Sequence, residues 1–137
     1  MDFERLRGIL ASLPRNYEPL LLTFTDEPRW WDDRSVVIGS DGGTELRVDM
    51  QSGAVASFCS SDEIAARFLN SNADRLAACV AAYQEYAAAI DRAADEAGEL
   101  HEVARLRDAL MKIDPAALAD PEAWWAMVVE QAEHGLV

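Results

Sequence analysis

The sequence predicts an α+β fold, in which a small antiparallel β-sheet of about four strands is covered by helices, and two observations support it. The first is the stretch 35–58, which contains three short β-prone runs. An Asp-Gly-Gly sequence at 41–43 joins the first two runs, and such turns favour hairpins because they need positive φ. The next connection, 50–53, ends in Gly53, which can adopt a left-handed conformation. The second observation is that apolar residues after residue 70 recur at helical spacing.

The elements around this meander can be predicted in order. Apolar residues at helical spacing predict a first helix over residues 2–13, which Pro14 ends. Strands are then predicted at 20–24, 35–40, 44–49 and 54–59. The segment 26–34, with the sequence DEPRWWDDR, is predicted to be a loop between the first two strands.

Helical signals dominate the second half of the chain. A short helical turn is predicted over 61–67. Ser71 and Asp74 fit a capping box that begins a long helix, and Gly98 is predicted to interrupt that helix. A further helix is predicted to end at Asp114, which precedes a proline.

The last predicted helix has the clearest start. Asp120 suits the N-cap and Pro121 suits the first helical position. Trp125 is predicted to be a core residue, and Gly135 is predicted to follow the end of the helix.

Composition limits the classes of partner. The 137 residues suit one domain, 1–137, and half of them are apolar, so a packed core is expected. There are 25 acidic and 12 basic residues, and the formal net charge is −13. This charge opposes binding to nucleic acid or to an anionic membrane and favours a basic partner, although it also serves solubility. Because the N-terminus lacks an apolar signal region, a cytoplasmic location is expected.

The residue types that usually carry catalysis form no constellation. His101 and His134 fall on predicted helices without nucleophiles or ligands beside them, and Cys59 and Cys79 lack metal-binding spacing. Both cysteines are predicted to be buried thiols. The glycine-rich segment 39–43 lacks the lysine of a phosphate-binding loop and precedes a strand. The sequence therefore predicts neither an enzyme nor a bound metal or cofactor.

The segment 26–33 is the candidate partner-binding surface. Aromatic side chains beside charge are typical of interface anchors, although the two adjacent tryptophans could instead cover the core. We expect carboxylates at the hairpin tip and at the far end of the meander to extend this surface. The predicted partner-binding residues are Asp26, Glu27, Trp30, Trp31, Asp32, Asp33, Asp41, Asp62 and Glu63.

An ordered series of short motifs is similar to the SUKH superfamily, and within it to the subgroup numbered four. The motifs lie at 39–43, 52–55, 68–71, 120–125 and 134–136. The resemblance covers roughly residues 17–137. It rests on the order of the short motifs, because none of them is specific alone.

The resemblance implies a small antiparallel sheet with helices packed on it. It also implies an immunity protein of a bacterial polymorphic toxin system, which binds a cognate toxin domain, often a nuclease or deaminase, and blocks it. The matching residues carry over as fold determinants rather than as catalytic groups, and they are Gly39, Gly53, Asn70, Ser71 and Trp125.

Two functional hypotheses follow. The first is a toxin-neutralising protein whose acidic surface occludes the basic active site of its partner. The second is a regulatory or interaction module that binds a small molecule or peptide in a pocket between the sheet and the helices.

Overall fold

A computed structural model describes residues 1–60 and 64–135. Its centre is one antiparallel sheet in which the strands follow each other in sequence order, so the predicted α+β class and the meander are confirmed. The sheet has six strands, rather than the predicted four or so. These are β1 (Asn16–Tyr17), β2 (Leu22–Trp30), β3 (Ser35–Asp41), β4 (Glu45–Asp49), β5 (Val55–Phe58) and β6 (Arg67–Asn70).

Strand β2 is longer than predicted, because a bulge lets the strand continue past Pro28. Phe24 pairs with Gly39 and Arg29 pairs with Val37, so the register shifts between these pairs. Pro28, which has no N–H to donate to a ladder, lies inside this bulge. The prediction of a loop over residues 26–30 was therefore wrong, and only residues 31–34 form the connection to β3.

The sixth strand was not predicted from the sequence, and it begins at Arg67, the last residue of the predicted helical turn. β6 pairs with β5 through Phe68 and Arg67, and residues 64–66 are not helical. The rest of the predicted helical turn lies outside the described residues. A four-residue strand is too short to show a period of two, so its pairing partner decides its conformation.

Four α-helices complete the fold: α1 (Phe3–Ala11), α2 (Ala73–Ile90), α3 (Glu96–Ile113) and α4 (Trp124–Glu133). The N-cap of α2 is Asn72, whose side chain accepts a hydrogen bond from the Arg75 N–H at 2.9 Å, so the predicted capping box was displaced by one residue. The break between α2 and α3 lies before Gly98 rather than at it, because α3 already begins at Glu96. The Gly98 N–H donates to the side chain of Asp95, the N-cap of α3.

The start of α4 also differs from the prediction. Asp120 accepts a hydrogen bond from the Glu122 N–H at 2.8 Å, which forms a turn ahead of the helix. The helix then begins at Trp124. The predicted end is confirmed, because Gly135 follows the last turn with a φ of +70°.

The core lies between one face of the sheet and the apolar sides of the helices. Alternate residues of the central strands point into it, as the period of two requires. Trp125 has no exposed surface, which confirms its predicted place in the core. The largest fully buried side chains are Trp125, Tyr83, Phe24, Leu6, Leu10, Leu22, Ile38, Leu46, Leu69, Leu76, Leu110 and Val36.

A buried polar cluster ties the helices to the edge of the sheet. The Asn70 amide donates to Asp114 Oδ2 at 3.1 Å, and its oxygen accepts a bond from Trp125 Nε1 at 2.9 Å. Ser71 donates to the same carboxylate through its backbone N–H and its hydroxyl, at 2.7 and 2.8 Å. Because every member is bonded, the cluster fixes β6, α4 and the end of α3 relative to one another.

Candidate partner-binding surface

The two adjacent tryptophans at the end of β2 point in different directions, as neighbouring side chains of a strand do. Trp30 stacks on Phe3 of α1 with ring centroids 5.9 Å apart. Trp31 lies on the other side, where the Arg47 guanidinium is 3.8 Å from its ring centroid. The rings are 52% and 53% exposed, so neither serves as a lid buried in the core.

The carboxylates around these rings have different roles. Asp26 and Asp33 are exposed, whereas Glu27 forms an ion pair with Arg7 at 3.1 Å. Asp32 Oδ1 accepts hydrogen bonds from the backbone N–H groups of Arg34 and Ser35, at 2.8 and 2.6 Å. These backbone bonds lower the pKa of Asp32, because they stabilise the charged form. Asp32 therefore holds the turn between β2 and β3, while Asp26 and Asp33 are available to a partner.

The other predicted carboxylates do not join this group. Asp41 lies at the opposite end of β3 and is half-buried on the helix side, where its Oδ2 accepts a hydrogen bond from Trp124 Nε1. Burial raises the pKa of Asp41. Asp62 and Glu63 lie outside the described residues.

A groove of about 1150 Å³ crosses the face of the sheet opposite the core. Glu27, Arg29 and Trp31 line it from β2 and the turn that follows. Further along, Ser60 and Ile64 line the groove, on either side of residues 61–63, which the structure does not describe. Trp31 therefore connects the acidic segment to a concave surface.

Arg47 lines this groove between two aromatic rings, and sequence reasoning missed it. Its guanidinium lies between the rings of Trp31 and Phe58, 3.8 and 4.4 Å from their centroids. Its Nε donates to Glu45 at 2.8 Å, and Arg29 pairs with the other oxygen of Glu45 at 3.2 Å. The signal was present in the sequence, since Glu45 and Arg47 alternate with the buried Leu46 and therefore share the outer face.

Asp41 gives a pH-dependent prediction. The pKa of Asp41 is higher in the folded than in the unfolded protein, so the fold favours the neutral carboxyl group. The stability that this preference gives is fully present below the unfolded pKa and is lost as the pH rises through the folded pKa. Asp41→Asn removes the charge and keeps an acceptor for the indole, so we expect it to be at least as stable as the wild type at pH 7. Asp41→Ala leaves the indole N–H of Trp124 unpaired and should cost about 1–3 kcal/mol. Urea unfolding at pH 4 and pH 7 measures both, and an equal loss in both variants at pH 7 would contradict this role.

The family model for the SUKH-4 immunity protein matches residues 22–131. Because the match covers most of the chain, the protein belongs to the SUKH-4 immunity protein family. Comparison with curated proteins and with solved structures gives no match. The family predicted from the short motifs is confirmed, and it indicates toxin immunity as the general role.

Two further observations concern the described residues alone. Within residues 1–60 and 64–135, no group of three or more histidine, cysteine, aspartate and glutamate side chains is placed to hold a metal ion. In the same part of the chain, every helix is too short or too polar to cross a membrane.

Proposed function

We propose that this protein is the cytoplasmic immunity partner of a bacterial polymorphic toxin, which it neutralises by occluding the toxin's active site without catalysing a reaction. We further propose that the toxin domain is a nuclease or a deaminase. Membership of the SUKH-4 immunity protein family is the observation that carries the proposal. We assign the contact surface to the exposed part of 26–33 and the adjoining groove.

Charge supports this kind of partner. An enzyme that acts on nucleic acid presents a basic site to a polyanion, and a protein with a net charge of −13 is drawn to such a site. Asp26 and Asp33 are exposed carboxylates that can take the positions of substrate phosphates. Steering of this kind acts on the association rate and weakens as salt screens it.

Aromatic groups supply the anchor. Trp31 is half-exposed, and its ring is held by Arg47, so little side-chain entropy remains to be lost on binding. Tryptophan and arginine at the centre of a concave patch are typical of residues that dominate binding energy. We therefore place Trp31 at the centre of the interface and the exposed carboxylates at its rim.

The acidic rim can be tested by charge reversal. We expect Asp26→Lys combined with Asp33→Lys to slow association with the cognate toxin and to reduce the salt dependence of the rate. Asp32 is left unchanged because it holds the turn. The matched control is Glu85→Lys with Asp108→Lys, which makes the same change in net charge on exposed positions of α2 and α3. Stopped-flow association at several salt concentrations measures the effect, and equal rates for both double variants would show that only net charge matters.

The anchor needs a separate test. Trp31→Ala is expected to weaken toxin binding by about 30-fold or more, which corresponds to a loss of about 2 kcal/mol for a central interface residue. Trp30→Ala serves as the comparison, since its ring has the same exposure but lies against α1. Calorimetry and protection of cells that co-express the toxin from the neighbouring gene give the two readouts. If Trp31→Ala binds and protects like the wild type, the groove is not the interface, and if no neighbouring toxin binds, the immunity function itself fails.

A further inference from the structure

A second cleft lies on the helix side of the sheet, away from the groove that contains Trp31. It has a volume of about 580 Å³ and is bordered by α2, α4, Leu21 just ahead of β2, and Asp41 at the end of β3. This volume and a lining that combines aliphatic and aromatic side chains with a few polar groups are typical of small-molecule sites.

Two tyrosines line the cleft without using their hydroxyl groups in the fold. Tyr83 and Tyr86 are 2% and 6% exposed, and their rings lie 5.3 Å apart. Neither hydroxyl has a hydrogen-bond partner among the described residues. Neither hydroxyl oxygen is among the fully buried atoms that lack a partner, so both oxygens are open to the cleft and can bond to a ligand there. Burial raises the pKa of Tyr83 to about 12, so this hydroxyl stays neutral at physiological pH.

A carboxylate at the same cleft is also incompletely bonded. Asp41 Oδ2 accepts the hydrogen bond from Trp124, whereas Oδ1 is buried and has no partner among the residues that the structure describes. The Trp124 ring itself lines the cleft, so an aromatic face and an acceptor occur together. Aromatic faces and a carboxylate are the groups that bind organic cations.

The local charge favours the same class of ligand. Asp41 and Asp91 are both at the cleft, and Arg67 is the one basic residue among its described lining residues. The Arg67 side chain is exposed, and its Nη1 contacts the Met127 sulfur at 2.8 Å. Burial raises the pKa of Asp41 by more than the charge of Arg67 lowers it, so Arg67 only partly offsets the cost of that buried carboxylate. Since the whole protein carries −13, an anionic ligand is disfavoured and a cationic one is attracted.

The rim of the cleft contains the single backbone outlier among the described non-glycine residues. Leu21 has a φ of +55°, and its side chain is 66% exposed. This left-handed conformation ends the short 3-10 turn Glu18–Leu20, where the Leu21 N–H donates to the Glu18 carbonyl oxygen at 3.0 Å. In this conformation Leu21 places an apolar side chain at the mouth of the cleft.

We propose that this cleft binds a small organic amine, in which an aromatic or alkyl body lies against Tyr83, Tyr86 and Trp124 and the ammonium group lies at Asp41. The tyrosine hydroxyl oxygens accept further hydrogen bonds from the ammonium or from a polar substituent of the body. This site is separate from the proposed toxin interface, so it stands or falls independently of the immunity function.

Three probes of nearly equal size test the charge preference. 2-Phenylethylamine, 2-phenylethanol and 3-phenylpropionate share a phenyl ring and a short chain but are cationic, neutral and anionic. The readout is the indole N–H signal of Trp124 in a two-dimensional NMR titration, identified with Trp124→Phe. We expect the amine to shift this signal with a Kd of about 1 mM or lower and to bind about tenfold more tightly than the alcohol. Equal affinity for all three probes, or no shift of the Trp124 signal, would overturn the proposal.

Two variants assign the site. Asp41→Asn keeps an acceptor for Trp124 and should weaken amine binding about tenfold while leaving alcohol binding unchanged, whereas Asp33→Asn, with the same charge change on the distant turn, should leave both unchanged. Leu21→Gly relieves the positive φ, so it should melt no lower than the wild type while binding every probe more weakly. If Asp41→Asn binds the amine like the wild type, the ammonium does not lie at Asp41 and the proposal fails.

Discussion

Trp125→Ala is expected to lower the free energy of unfolding by about 3–5 kcal/mol, which is among the largest effects of a single substitution. The side chain has no exposed surface and packs edge-on against Trp124, with ring centroids 4.8 Å apart. Its removal leaves a cavity and also takes the donor from the Asn70 amide oxygen, to which Trp125 Nε1 donates at 2.9 Å. Chemical denaturation of the variant measures the loss.

Two comparisons separate the causes. Trp125→Ala leaves both a cavity and an unpaired acceptor on Asn70. Trp125→Phe keeps most of the ring and removes the N–H, so it leaves the unpaired acceptor with only a small cavity. It should therefore lose less stability than Trp125→Ala. Trp30→Ala removes an equally large but half-exposed ring and should cost far less. A Trp125→Ala variant that melts with the wild type would show that α4 does not present this ring to the core.

Asp114→Ala is expected to cost about 3 kcal/mol or more, because it leaves one buried and two part-buried donors without their acceptor. Asp114 has no exposed surface and accepts hydrogen bonds from Asn70 and twice from Ser71. Arg75 lies 3.6 Å away and is half-exposed, so water can replace that ion pair, whereas the Asn70 donor is fully buried. Urea unfolding of the single variant measures the loss.

A double-mutant cycle with Asn70→Ala tests whether these residues act as one unit. Residues in one hydrogen-bond network show coupling energies of about 0.5–3 kcal/mol, so the double variant should lose less than the sum of the single losses. Strict additivity would contradict a shared network. Glu85→Ala, at an exposed position of α2, is the control for a general loss of charge.

The elements that were predicted correctly are those with a strong local signal. The two glycine turns are confirmed, since Gly42 and Gly53 have φ values of +77° and +88°. The amphipathic helix α1 and the buried position of Trp125 are also confirmed. Each of these features follows from a residue type or a period that few other conformations accommodate.

The elements that were missed depend on contacts distant in sequence. β6 is a strand because β5 pairs with it, and the 26–30 part of β2 is a strand because a bulge accommodates Pro28. Ser71 was predicted to cap α2, yet it bonds to Asp114, 43 residues further along the chain. A local capping signal therefore lost to a buried carboxylate, which takes two of its hydrogen bonds from Ser71.

The candidate surface also has features that the sequence predicted and features that only the structure revealed. The sequence alone identified the acidic, tryptophan-rich segment 26–33 and the family, because both rest on composition and on the order of motifs. Only the tertiary structure showed that Trp31, in the turn after β2, meets Arg47 of β4 and that Arg47 meets Phe58 of β5. It alone also showed that Asp32 holds a turn and that Asp41 faces the helices. The physical reason is that strand pairing decides which side chains share a face of the sheet. A bulge moves the following side chains to the other face, and the local sequence pattern does not show where a bulge lies.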